Sequence, residues 1–148
     1  MRRISLVSAL VSALVLVAVP TIATAAPPPN AGLPVTVEMT GAAERPGPGD
    51  PDGSGIAHFR LNPGQEQICY TLEVSDIAPA TAAHIHAAGP DQPGPVVVPL
   101  DPPTSGMSAG CVTVDRELVL DIIRDPGAYY VNVHNANFPA GAVRGQLG

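Results

Sequence analysis

The chain has 148 residues, 13 acidic against 7 basic side chains, no Lys, and a formal net charge of -6. That is the length of one domain, and 45% hydrophobic residues exclude wholesale disorder. The acidity and the lack of clustered cations exclude nucleic acid and anionic membrane surfaces as partners. Three Tyr, two Phe and no Trp leave little for stacking on sugars or bases.

In chain order, Met1-Arg2-Arg3 is a basic start, and Ile4 to Val19 is an uncharged run interrupted only by Ser5, Ser8 and Ser12. Ala23-Thr24-Ala25 supplies the small-x-small pattern of a signal-peptidase site, so residues 1–25 read as a signal peptide cleaved after Ala25. The 16-residue apolar run falls short of the roughly 20 needed to span a bilayer. Ile4-Ser5 after the arginines fits the general secretory route better than a twin-arginine signal. The expectation is an exported protein, secreted or otherwise extracytoplasmic, with no membrane insertion. Losing Arg2 and Arg3 takes its net charge from -6 to -8.

Residues 26–34 form a Pro-rich lead with flexible, polyproline-like character, and residues 35–148 form the domain. Its segments alternate in period 2, as half-buried antiparallel strands do. Pro34 to Thr40 places Val35, Val37 and Met39 on one face, and Arg45 to Gly55 is a turn-rich loop. Ile56 to Leu61 directs Ala57, Phe59 and Leu61 one way and Ile56, His58 and Arg60 the other. After the Asn62-Pro63-Gly64 turn, Gln67 to Val74 returns as its hairpin partner with Ile68, Tyr70, Leu72 and Val74 inward. Ala80 to Ala87 and Pro95 to Leu100 are two further strands, and Gly110 to Asp115 is expected to bury Val112 and Val114. Asp115 to Arg124 breaks the pattern: Leu118, Ile122 and Ile123 recur at helical spacing, Asp115 is an N-cap, and Pro126-Gly127 is a stop. One short helix near 116–124 is therefore expected. Ala128 to Asn135 and Ala142 to Leu147 complete about eight strands, which implies an all-β, Greek-key antiparallel β-sandwich or small barrel.

Cys69 and Cys111 both fall on the parity opposite to their strands' apolar residues. In an exported chain two cysteines oxidise, and their shared outward parity places the disulfide between neighbouring strands on an outer face. The histidines carry the candidate chemistry. His84 and His86, two apart on a strand, project from one face. His134 ends Tyr130-x-Asn132-x-His134, opposite Val131 and Val133. If the two strands are neighbours, three imidazoles meet in a set suited to copper or zinc. A lone His on a strand is more often a hydrogen-bonded scaffold residue, and His58, sharing a face with Arg60, reads as exposed and uninvolved. No G-x-S-x-G context supports a serine nucleophile, and no Gly loop is shaped to cradle phosphate.

Three blocks together resemble the CHRD domain, the module named after chordin and found in secreted bacterial single-domain proteins. They are Ala83-His84-Ile85-His86 with Gly89-Pro90 and Gly94-Pro95-Val96-Val97; Pro126-x-x-Tyr129-Tyr130-Val131-Asn132-Val133-His134; and Pro139-x-Gly141-x-x-Arg144-Gly145-Gln146-Leu147. The resemblance runs from about Val35 to Leu147 and implies an extracellular binding module. A second similarity, to the copper half of copper/zinc superoxide dismutases, rests on His84-x-His86, Val131-x-Val133-His134 and Arg144. It implies His84, His86 and His134 as copper ligands and Arg144 as an anion guide, within an immunoglobulin- or dismutase-like sandwich. The bridging histidine and the zinc-binding set are missing. Arg144 also reads as structural, paired with an acid such as Glu73 or Asp76, and Asn132 and Gln146 as hydrogen-bonding partners within the fold. The expected function is a secreted, non-catalytic module binding a metal ion, copper before zinc, or an extracellular protein. The alternatives are a copper-dependent dismutase-like enzyme and an envelope interaction module with purely structural histidines.

Overall fold

The computed structural model describes residues 31–148; the expected signal peptide, residues 1–25, and residues 26–30 of the expected lead lie outside them. Eight antiparallel strands form one sheet in the order β5-β4-β7-β8-β1-β2-β3-β6. They are β1 (Leu33–Thr40), β2 (Ser54–Asn62), β3 (Gln67–Ser75), β4 (Ala80–Ala87), β5 (Val96–Leu100), β6 (Met107–Thr113), β7 (Tyr129–Asn135) and β8 (Val143–Gln146). The helix α1 spans Arg116–Arg124. The expected all-β architecture with one helix is what the chain adopts. Its two layers are halves of one curled sheet that is nearly a barrel.

The halves, β1-β2-β3-β6 and β5-β4-β7-β8, meet where Thr40 pairs with Arg144. The end strands β5 and β6 are consecutive in the chain, and the segment joining them draws the two sheet edges together. The Asp101 N–H donates to the Tyr70 hydroxyl oxygen at 2.8 Å, and the Ser108 hydroxyl donates to the Asp101 carbonyl at 2.8 Å. Alternation then does the packing. Val37, Met39, Ala57, Phe59, Leu61, Ile68, Leu72, Ile85, Val131 and Val133 all point into one core and are buried. Burying side chains of this size stabilises by roughly 1.5–3 kcal/mol each before entropy is subtracted.

The helix forms because Asp115 satisfies its first turn, accepting the Glu117 N–H at 2.8 Å. It closes the crossover from β6 to β7 with Val119 and Ile122 in the core and Leu118 and Ile123 half-buried beside it. Val119, missing from the expected apolar stripe, sits one residue after Leu118 on the same inward arc. β1 begins at Leu33, so the ordered strand takes in the last two residues of the expected lead. β6 also starts earlier than its apolar residues suggest. It runs from Met107 through Ser108-Ala109-Gly110 to Thr113, leaving Val112 half-buried and Val114 buried just past the strand end. Small residues carry no apolar alternation, and here the pairing with β3 defines the strand.

The disulfide joins Cys69 and Cys111, which face each other directly across β3 and β6 on the outer face. It therefore staples an edge strand to its one neighbour. A groove of about 520 Å³ lies on this same face around the disulfide, and none of His84, His86 or His134 lines it.

Candidate metal centre

β4 and β7 are hydrogen-bonded neighbours in antiparallel register, with His84 opposite Asn132 and His86 opposite Tyr130. Because side chains alternate across a strand, the apolar partners Ala83, Ile85, Val131 and Val133 turn inward. The other parity gathers His84, His86, Tyr130, Asn132 and His134 on the outer face. The pairing of β4 with β5 slips register between Ile85 and His86, a local irregularity of the kind that re-aims side chains beside sites. The ring centroids of His84 lie 5.5 Å from His86 and 5.1 Å from His134, and those of His86 and His134 are 6.3 Å apart. One nitrogen from each ring falls within 4.8 Å of the others.

The hydrogen bonds determine which nitrogens these are. A carbonyl oxygen can only accept, so the His86 Nδ1–H donates to the Gly94 carbonyl at 2.8 Å and the His134 Nδ1–H donates to the Pro139 carbonyl at 3.0 Å. In the neutral rings that leaves both Nε2 atoms as lone-pair donors. The His84 Nδ1 stands 3.2 Å from the His134 Nε2 and completes the set. Carbonyls orienting ligand imidazoles through the second nitrogen are the usual support of a metal-binding histidine. Burial and neighbouring rings push the His84 imidazole below its ordinary pKa. Burial does the same at His134, partly opposed by the Pro139 carbonyl. Both shifts favour the neutral form that a metal requires.

The donor set fits a metal on a further observation. The His86 Nε2 is buried, with no hydrogen-bond partner, and a buried polar atom without a partner costs about 1–3 kcal/mol. Tetrahedral neighbours at about 2.0–2.1 Å from one ion lie roughly 3.4 Å apart, so nitrogens at the 4.8 Å limit would need to close by about 1.4 Å, within reach of small ring rotations. The shortest pair already has the separation of tetrahedral neighbours. Three neutral imidazoles, with no carboxylate or thiolate among them, suit copper or zinc.

The outer face here is not open surface. Loops cover it, and Arg144 beneath them is only 1% exposed. Its guanidinium lies 3.4 Å over the centre of the Tyr130 ring and donates to the carbonyls of Gly89 at 2.8 Å and Gln92 at 3.1 Å. The expected partners Glu73 and Asp76 are not involved. Glu73 is on β3, at the far side of the sheet order from β8, and Asp76 follows that strand. The nearby acid is Glu44, 2% exposed, whose carboxyl burial raises to about pKa 7 despite the attraction of Arg144. Gln146 is a hydrogen-bonding partner as expected, donating to the Ala88 and Gly127 carbonyls at 2.7 Å each. Asn132 is buried with an unpartnered Oδ1. His58 is exposed and shares a hydrogen bond with Thr36 at 3.0 Å, apart from the cluster.

Sequence reasoning missed Glu44, because nothing local marks an acid in a Gly/Pro-rich loop as buried. It also missed the two orienting carbonyls. Their signal was present in Gly94-Pro95 and Pro139-x-Gly141, whose turns bring backbone oxygens back over β4 and β7. Gly94 has to be glycine: a Cβ there would lie 2.2 Å from the Ala87 carbonyl oxygen.

An eight-stranded antiparallel domain carrying three convergent imidazoles on two adjacent strands is the class of protein that fold and site define. The model of the CHRD domain matches residues 35–147, and the chain belongs to that family. No curated protein and no solved structure matches it.

Proposed function

We propose that this protein is an exported CHRD-domain binding module that holds one metal ion, copper in preference to zinc, on His84, His86 and His134. The observation that carries the reading is the buried, unpartnered Nε2 of His86, whose opposite nitrogen is committed to the Gly94 carbonyl. In the metal-free site the His84 Nδ1–H donates to the His134 Nε2, and for an ion to take its place His84 would shift that proton to its own Nε2, staying neutral with the Nδ1 lone pair free. Copper is preferred because it stands highest in the affinity order of divalent first-row metals and because of the likeness to the copper half of the dismutases. Export is read from Met1 to Ala25 and agrees with the Cys69–Cys111 disulfide, since such bonds persist in oxidising compartments. Among the described residues no helix is long and apolar enough to cross a membrane.

A dismutase-like activity is the weaker reading. An anion guide needs a free guanidinium, and that of Arg144 is buried and engaged by carbonyls. Titration of the disulfide-bonded protein with copper and zinc, beside a His84→Ala/His86→Ala variant, tests the proposal. Stoichiometric binding, tighter for copper and lost in the variant, is expected. Equal, weak binding by both proteins would make the histidines scaffold and leave a protein partner as the module's target.

A further inference from the structure

We infer that Tyr130 is a positioning residue of the three-histidine site, presetting the His86 imidazole through a clamp that includes the backbone of Gly94. This deepens the metal-binding reading and rests on it for its functional consequence, but the clamp itself exists in the metal-free protein. The Tyr130 and His86 rings stack with centroids 4.7 Å apart and planes 5° from parallel, which fixes the plane of the imidazole. The Tyr130 hydroxyl oxygen accepts the Gly94 N–H at 3.2 Å, and the Gly94 carbonyl accepts the His86 Nδ1–H at 2.8 Å. One tyrosine thus sets the ring's tilt by contact and its tautomer through a single intervening glycine. The outcome is the bare Nε2 lone pair on which the site depends.

Arg144 supports the clamp from the other side. In the strand order β4-β7-β8, Tyr130 stands between His86 and Arg144, and the guanidinium lies against its ring. A desolvated cation over an aromatic face is attracted by the ring's negative π-face. The same guanidinium holds Gly89 and Gln92, and Gln146 holds Ala88, so the segment that presents Gly94 is anchored along its length. This gives Arg144 a place in the site without asking it to meet an anion, and it accounts for an arginine buried beneath the loops of the outer face.

The test separates ring from hydroxyl. Tyr130→Phe keeps the stack and the surface on which Arg144 rests, but leaves Gly94 without its acceptor. Tyr130→Leu removes both. Loss of such supporting contacts lowers metal affinity by about 10–100-fold. Copper dissociation constants should therefore rise about tenfold or more in Tyr130→Leu, with Tyr130→Phe between it and wild type. Imidazole nitrogen NMR of the metal-free proteins provides a readout that does not depend on the ion. Wild type should show His86 as a single Nδ1–H tautomer, and the variants should show progressive averaging of the two nitrogens. If Tyr130→Phe, whose volume the core retains, keeps both the wild-type affinity and the single tautomer, the inference is overturned. If the tautomer averages while wild type itself binds no copper, the clamp stands and the metal reading fails.

Discussion

Replacing both Cys69 and Cys111 by Ala tests how the sheet is held at its edge. The two residues face each other across β3 and β6 on the outer face, with Cys111 exposed and Cys69 half-buried, so truncation opens no cavity in the core. The cost is then mainly the loop-closure entropy returned to the unfolded chain. For the 42-residue separation it comes to about 4 kcal/mol on the chain-entropy model. A domain of this size loses about 4 °C of melting temperature per kcal/mol, so calorimetry should show a fall of about 15 °C. The loss should also have a location. β6 pairs only with β3, its Met107 is 58% exposed, and Ser108, Ala109 and Gly110 bury little. Without the staple, amide hydrogen exchange should quicken first in β6 and its β3 partners, leaving β4 and β7 protected. A fall of less than about 3 °C, or exchange quickening equally in both halves of the sheet, would refute the reasoning.

Other expected outcomes concern pH and capping. Burial depresses the His84 and His134 pKa values, so the unfolded chain takes up these protons first. Stability should be full above about pH 6.5 and should fall as pH drops through the depressed values; urea midpoints between pH 7.5 and 5 check this, and the slope should be shallower in His84→Ala/His86→Ala. Glu44 has the opposite sign. Its folded pKa of about 7 exceeds the ordinary 4.5, so its contribution is complete below about pH 4.5 and is lost as pH rises through 7. Glu44→Gln, which imitates the neutral acid, should raise unfolding free energy at pH 8.5 by about 1–3 kcal/mol and leave it little changed at pH 4.5; a loss of stability at pH 8.5 would contradict the burial argument. Asp115→Ala should cost about 1 kcal/mol in the same urea assay, because the Glu117 N–H loses its acceptor.

What the sequence made legible was whatever alternates. Val131 and Val133 against Tyr130, Asn132 and His134, or Ile68 and Tyr70 against Cys69, are parity statements, and a strand converts parity into a face without further information. That is why the disulfide's outer position and the meeting of His84, His86 and His134 could both be anticipated. β6 escaped in its first half because Ser, Ala and Gly have no parity to read, and its neighbour β3 imposes the strand. The cover over the outer face escaped for a different reason. Period-2 logic sends Arg144, Asn132 and Tyr130 to an outer face and stops there, whereas here Gly/Pro-rich loops fold back and bury these three as deeply as the core, with His84 and His134 half-buried beside them. A polar residue placed outside by alternation but inside by loop packing must find partners in backbone carbonyls and aromatic faces, as Arg144 does, or go without, as Asn132 Oδ1 and His86 Nε2 do; Oε1 of the loop residue Glu44 is likewise unpartnered. All three unpartnered atoms belong to residues on or beside this loop-covered face. His86 Nε2 is the one of the three that the proposed function gives to a metal ion.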